Sequence, residues 1–297
     1  MGIERGYNPR WERMETKDTV DAFNKKMEAV WPRTNPEELV TSGVRTRYQV
    51  DRRQAMANEA KANFDENEEG LALGRAAEYL FLEGAYKNGW LEKGSLNDPE
   101  IYILRTSEYD DYIEGVDMVV AIRPEPKGEW YYLGINITVT EDEGELYDKF
   151  NKTTASLTTA MPHLPIVEQY VPDEATTGEK AGQLSLPKTV VIMEKPKVLN
   201  AIKGYMDERK INLKNHEAQS DVIQSIRQQL LSQLRTVVQD LEGQRLDSAS
   251  EAEVIAKARE HLEQGVNSAV DHILDSESVL LEYFSSVAEV KEKGLAA

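Results

Sequence analysis

The chain has 297 residues, with 35 Lys and Arg against 53 Asp and Glu for a formal charge of −18, no cysteine and four histidines. The lack of cysteine excludes a disulfide framework, a thiolate zinc site and a thiol nucleophile. No run approaches the roughly 18 consecutive apolar residues of a membrane span, and the polar, charged start Met1–Arg13 does not read as a secretory signal, so the expected location is cytoplasmic, away from membranes.

Net acidity argues against binding nucleic acid by bulk charge, but the charge is uneven. Residues 1–61 hold 12 Lys and Arg against 10 Asp and Glu, and the remainder therefore carries −20. The basic stretch interleaves Arg with aromatics: Arg10, Trp11, Trp31, Arg33, Arg45, Arg47, Tyr48, Arg52 and Arg53. Helical spacing of Val20, Phe23, Met27 and Val30 predicts a helix near Thr19–Val30, ended by Pro32 and Pro36, and a second spans about Val50–Asn63. The arm either packs on the main domain or contacts nucleic acid, with Arg on the backbone and Trp or Tyr stacking on bases.

From Glu68 the pattern changes. Leu71, Leu73, Ala76, Ala77, Leu80, Phe81, Ala85 and Trp90 form the face of a buried helix closed by Gly89. Strands are predicted at Ile101–Leu104, Val116–Ile122 and Trp130–Thr140, the last two joined by a hairpin turn at Pro124–Gly128. Thr140-Glu141-Asp142-Glu143 reads as a capping box opening a helix to about Ala160. Strands at Pro165–Val171 and Thr189–Met193 flank a polar loop, 172–187, and Lys197–Lys210 reads as a helix. Three amphipathic helices follow, with breaks at Gly243 and at Asp275–Ser276 and a Gln-rich solvated face over Gln219–Gln244.

Polar residues stand where burial is costly. Glu78 lies on or near the apolar face of its helix, and Asp117 lies inside an apolar strand. Asn136 and Thr138 share one face of the next strand, and 19 residues separate Asp117 from Asn136, enough for two paired strands and a hairpin.

This order resembles the PD-(D/E)XK nuclease superfamily over about Glu68–Lys210, on a helical Glu (Glu78), a strand Asp within EYDDYIEGVDMVV (Asp117) and the following alternating strand. Two positions depart from the pattern: Asn136 stands where the second acid belongs and Thr138 where the lysine belongs. Lys149 or Lys152, on the following helix, would supply a migrated lysine. Asn136 is either the natural residue of a pseudo-nuclease or a replacement of Asp. The resemblance implies an α/β fold of the α+β type, a mixed central sheet flanked by helices, restriction-endonuclease-like, with an appended C-terminal helical bundle. It implies an oxygen-ligated Mg²⁺ or Mn²⁺ on Glu78, Asp117 and Asn136, and phosphodiester hydrolysis of nucleic acid, DNA in the first instance. The domains expected are an arm, 1–67, a core, 68–212, and helices, 213–297. The competing expectation is a non-enzymatic scaffold whose residues 213–297 bind a protein partner or self-associate.

Overall fold

The computed structural model describes residues 9–33, 45–64, 68–92, 100–125, 128–139, 164, 166–172, 179–207, 213, 216–243, 245–266 and 268–295. It is a mixed α/β structure built on a four-stranded mixed sheet. Helix α1 (Pro9–Glu28) buries Val20, Phe23 and Met27 on one face. Its end is marked by the N–H groups of Val30 and Trp31, both donating to Met27 O at 2.9 Å, before Pro32 halts the helix. Helix α2 (Arg47–Phe64) begins with reciprocal bonds: Gln49 N–H donates to Thr46 Oγ1 (3.4 Å) and Thr46 N–H to Gln49 Oε1 (2.9 Å). Helix α3 (Glu68–Leu82) continues into a π-helical turn, Glu83–Lys87. There a Cβ at Gly84 would lie 2.3 Å from the Trp90 ring, so only glycine lets that buried indole sit against the backbone.

Strands β1 (Glu100–Arg105), β2 (Met118–Arg123) and β3 (Tyr131–Val139) form an antiparallel meander. The hairpin β4 (Ile166–Pro172) and β5 (Glu179–Ser185) forms a separate two-stranded sheet. Strand β6 (Lys188–Met193) then pairs in parallel with β3, giving the order β1-β2-β3-β6. Alternation sends Met118, Val120, Ile122, Leu133, Ile135 and Ile137 into the main core, while Val119 joins Val167 and Leu186 in a smaller cluster.

Helix α4 (Lys195–Met206) leads to α5 (Ala218–Glu242), α6 (Glu251–Gln264) and α7 (Ser268–Leu295). Ser250 and Glu253 form a capping box at the start of α6. One apolar cluster runs from Val20 through the sheet to Leu230, Leu234, Leu281 and Phe284, so α5–α7 share the core of the sheet. No described helix is long and apolar enough to cross a membrane.

Three expectations are corrected. Residues 172–187 contain β5, because register with β4 supplies the pairing that composition does not reveal. The break expected at Asp275–Ser276 is absent. Helix α7 runs through it with Ser276 buried, and the turn falls at Gly265, at φ +68°. The Gln-rich stretch is solvated only in part: Gln228 is exposed, but Gln219, Gln229 and Gln233 are buried. Gln229 and Gln233 are 2% and 0% exposed. Gln229 accepts from Val190 N–H at 2.8 Å and donates to Val190 O, and Gln233 donates to Lys188 O at 2.7 Å. Gln219 donates to Trp90 O at 3.1 Å. The helix expected over Thr140–Ala160 lies outside the described residues.

Two predictions follow from this packing. Gln229→Ala leaves two buried main-chain groups of Val190 unpaired and is expected to lower stability by about 2–4 kcal/mol in urea denaturation. Glu277, on α7, is fully buried, neither carboxylate oxygen has a hydrogen-bond partner among the described residues, and burial holds its pKa well above the carboxylate range. The folded state therefore binds its proton more tightly than the unfolded state, and stability falls as pH rises past the ordinary glutamate value. Glu277→Met is expected to stabilise the chain by about 1–4 kcal/mol at neutral pH, with a smaller gain in acid, measured by denaturation at pH 5 and pH 8.

Candidate functional site

The cleft is built where α3 and the turn before β2 meet strands β3 and β6. Asp117 precedes β2 by one residue, and extending the β2–β3 register places it opposite Asn136. Its N–H donates to Ile135 O at 2.8 Å, and its Oδ2 accepts from Ile137 N–H at 2.5 Å, so the carboxylate replaces a main-chain acceptor. Asn136 in turn lies beside Val190 of β6. Before Asp117 runs a second π-helical turn, Asp110–Glu114, which ends at Gly115 in the left-handed region, φ +64°. Inserted π turns of this kind re-aim side chains at functional sites.

Gly115 serves a further purpose. A Cβ there would lie 3.3 Å from Lys188 Nζ and 3.5 Å from Asn136 Nδ2. Both groups donate to this turn: Lys188 Nζ to Glu114 O and Asn136 Nδ2 to Gly115 O, each at 2.9 Å. The glycine thus gives the turn its handedness and lets two side chains approach its backbone.

Glu78 reaches the same cleft from α3, at 9% exposure. Arg105, at the end of β1, donates from Nη2 to Glu78 Oε2 at 3.0 Å, and from Nη1 to Trp31 O (2.9 Å) and Tyr79 Oη (3.2 Å). Arg33 Nη2 lies 2.6 Å from Asp111 Oδ2 and 3.6 Å from Glu78 Oε2. The cleft encloses about 390 Å³ between α3, the Asp110–Glu114 turn and the β3–β6 pair, with Arg75 and Lys188 also in its lining.

Crowding of like charge shows in the titration behaviour. Burial raises the pKa of Glu78, with Asp111 adding to the shift and Arg33 and Arg105 opposing it. Asp117 is raised well above the carboxylate range by burial, then by the charges of Glu78 and Asp111. Burial lowers Lys188, against the pull of Glu114 and Asp117. Behind the cleft, Asp110 is pushed up to about 7 by burial, although Ser107 Oγ donates to it at 2.7 Å and Arg53 attracts its charged form.

The structure thus brings Glu78, Asp117 and Asn136 together in one cleft. Thr138 is buried and is not among the residues lining that cleft. Lys149 and Lys152 lie outside the described residues. Arg45, Arg47, Arg52 and Arg53 gather at and just before the first half of α2, while the side chains of Arg10 and Trp11 lie outside the described part. Arg53 stacks on Tyr109, 4.1 Å from the ring centre, and Gln54 and Lys61 hold Glu108 at 3.0 and 3.3 Å. These contacts fasten α2 to the segment that carries Asp111 and Tyr112 into the cleft. Tyr48 stands 74% exposed on that helix.

Sequence reasoning placed Arg33 in the basic arm and Asp111 in the run-in to Asp117, and foresaw no role in the cleft for either of them, or for Arg105 and Lys188. Lys188 carried a usable signal, a lone charge after Pro187 at the mouth of an apolar strand. Arg33 carried none, because its partners lie far away in sequence.

Among the described residues, no three Asp, Glu or His side chains converge closely enough to hold a metal ion. Glu78, Asp117 and the Asn136 amide supply oxygen, the donor type a hard cation takes, and Arg33 already seats a positive charge against Glu78 and Asp111.

Asp110→Asn tests the charge state behind the cleft. With a folded pKa raised from 3.8 to about 7, Asp110 contributes stability that is complete in acid and is lost as pH rises toward 7. The variant is expected to show a shallower fall of stability between pH 4 and pH 7 than the parent chain, read by urea denaturation across that range. No family model, curated protein or solved structure matches this chain.

Proposed function

We propose that this chain is a nuclease-like, nucleic-acid-binding protein on a restriction-endonuclease-like core, with DNA as its ligand and a reduced capacity for Mg²⁺- or Mn²⁺-dependent phosphodiester hydrolysis. The observation that carries this reading is the meeting of Glu78, Asp117, position 136 and Lys188, from three strands or strand ends and one helix, in a single cleft. The element order supports it too: a helix, an antiparallel meander, and a last strand parallel to the third.

Glu78, Asp117 and the Asn136 amide oxygen would hold the ion, which when bound supplies Lewis-acid stabilisation and a more acidic water. The chain's own residues do the rest. Lys188, with its lowered pKa, and Arg75 place positive charge at the cleft for a phosphodiester. The exposed Arg47, Tyr48 and Arg52 offer backbone contacts and a stacking face on the adjoining helix.

A neutral amide at position 136 is a weak ligand for a hard cation. Its Nδ2 is already committed to Gly115 O, which favours a second reading, a scaffold that binds without cutting. In that reading Ile223, Ile226, Leu230 and Leu234 are closed to a partner, because they are buried in the chain's own core.

The deciding experiment is Asn136→Asp assayed with labelled single- and double-stranded DNA and RNA in Mg²⁺ or Mn²⁺. Metal-dependent cleavage should appear and should be lost on adding Asp117→Asn. Absence of cleavage on all substrates would remove the hydrolytic reading. Salt-dependent DNA binding, weakened by Arg47→Ala and Arg52→Ala together, would then support the scaffold alone.

A further inference from the structure

The cleft already contains a cation. Arg33 projects into it directly after Pro32, with a side chain only 21% exposed. Burial alone would favour loss of its proton, but the charges of Asp111, Glu78 and Asp117 more than reverse that and raise its pKa. On the reading of this cleft as a divalent-ion site, we propose that Arg33 is its resident counter-ion, and that a metal ion reaches Glu78 and Asp117 by displacing the Arg33 guanidinium.

The two guanidiniums at the site differ in how they are held. Arg105 is fixed on several sides: Glu78, Trp31 O and Tyr79 Oη accept from it, and its guanidinium lies 4.7 Å from the Tyr79 ring centre. Arg33 is held through Nη2 by carboxylates, and its buried Nη1 has no hydrogen-bond partner among the described residues. Among the described residues, its departure breaks its contacts with Asp111 and Glu78.

The backbone need not follow. Trp31 is anchored through Nε1 to Glu83 Oε1 at 2.8 Å and through its carbonyl to Arg105, so rotation of the Arg33 side chain alone clears the acids. Glu78 is the carboxylate that Arg33 and the ion would share, and a guanidinium held beside it and Asp111 repels a divalent ion in the same cleft. Binding of the metal and seating of Arg33 are therefore negatively coupled, each weakening the other by the same factor.

The test uses the full chain and Mn²⁺ alone, followed by calorimetry and by thermal unfolding. Arg33→Met keeps the length of the stem and removes the charge. It is expected to bind Mn²⁺ about tenfold more tightly or better, with a larger rise in Tm on adding Mn²⁺, while Arg33→Lys stays near the parent value. Unchanged or weaker Mn²⁺ binding in Arg33→Met, abolished by Asp117→Asn, overturns displacement and leaves the metal site standing. No binding by the parent chain, Arg33→Met and Asn136→Asp alike overturns both. The unmodified chain answers independently of the variant's folding. In a Mg²⁺ titration the Arg33 Nε–Hε resonance, assigned by its absence in Arg33→Lys, should shift, and an unmoved resonance at saturating Mg²⁺ overturns the proposal.

Discussion

Removing a carboxylate from water costs several kcal/mol unless a counter-charge and hydrogen bonds replace the solvent. This chain gathers Glu78, Asp111 and Asp117 around one half-buried cleft, and the elements that bear them are arranged to meet that cost. Arg105 comes from the end of β1, Arg33 from the exit of α1, and the Ile137 N–H from the middle of β3. Each compensating group belongs to a different segment. The charge balance therefore fixes how the first helix, the third helix and the sheet stand relative to one another, more narrowly than apolar contact alone would.

Much of the scaffold was legible in the sequence because it obeys simple periods. The stripe Val20, Phe23, Met27 marked α1, and alternation through Ile135, Ile137 and Val139 marked β3. The carboxylates Glu78 and Asp117 stood out because they interrupt apolar faces, and the structure places both in the cleft. What stayed hidden depends on contacts between distant residues. The bond between Lys188 and Glu114 spans 74 positions, and no local pattern announces it. Strand β5 was missed because its Gly-, Glu- and Lys-containing sequence has a weak strand preference that only pairing with β4 overrides.

The glutamines of α5 show why composition misleads. A Gln-rich helix face reads as solvated because amides are polar. An amide also presents a donor and an acceptor side by side, which is the pattern a strand residue presents along its free edge. Gln229 matches Val190 on both counts, and Gln233 reaches the carbonyl two residues earlier. The helix therefore binds the strand by polar as well as apolar contact, and the last strand is held between β3 and a helix that behaves locally like another strand.

That pairing has a consequence for how the molecule meets others of its kind. A terminal strand normally exposes a row of unpaired backbone groups that can recruit a neighbouring chain into a growing sheet. At Lys188 and Val190 those groups are occupied by side-chain amides, so this border of the sheet is closed to strand addition. A neighbouring strand could pair at this border only by first breaking the bonds of Gln229 and Gln233 to β6.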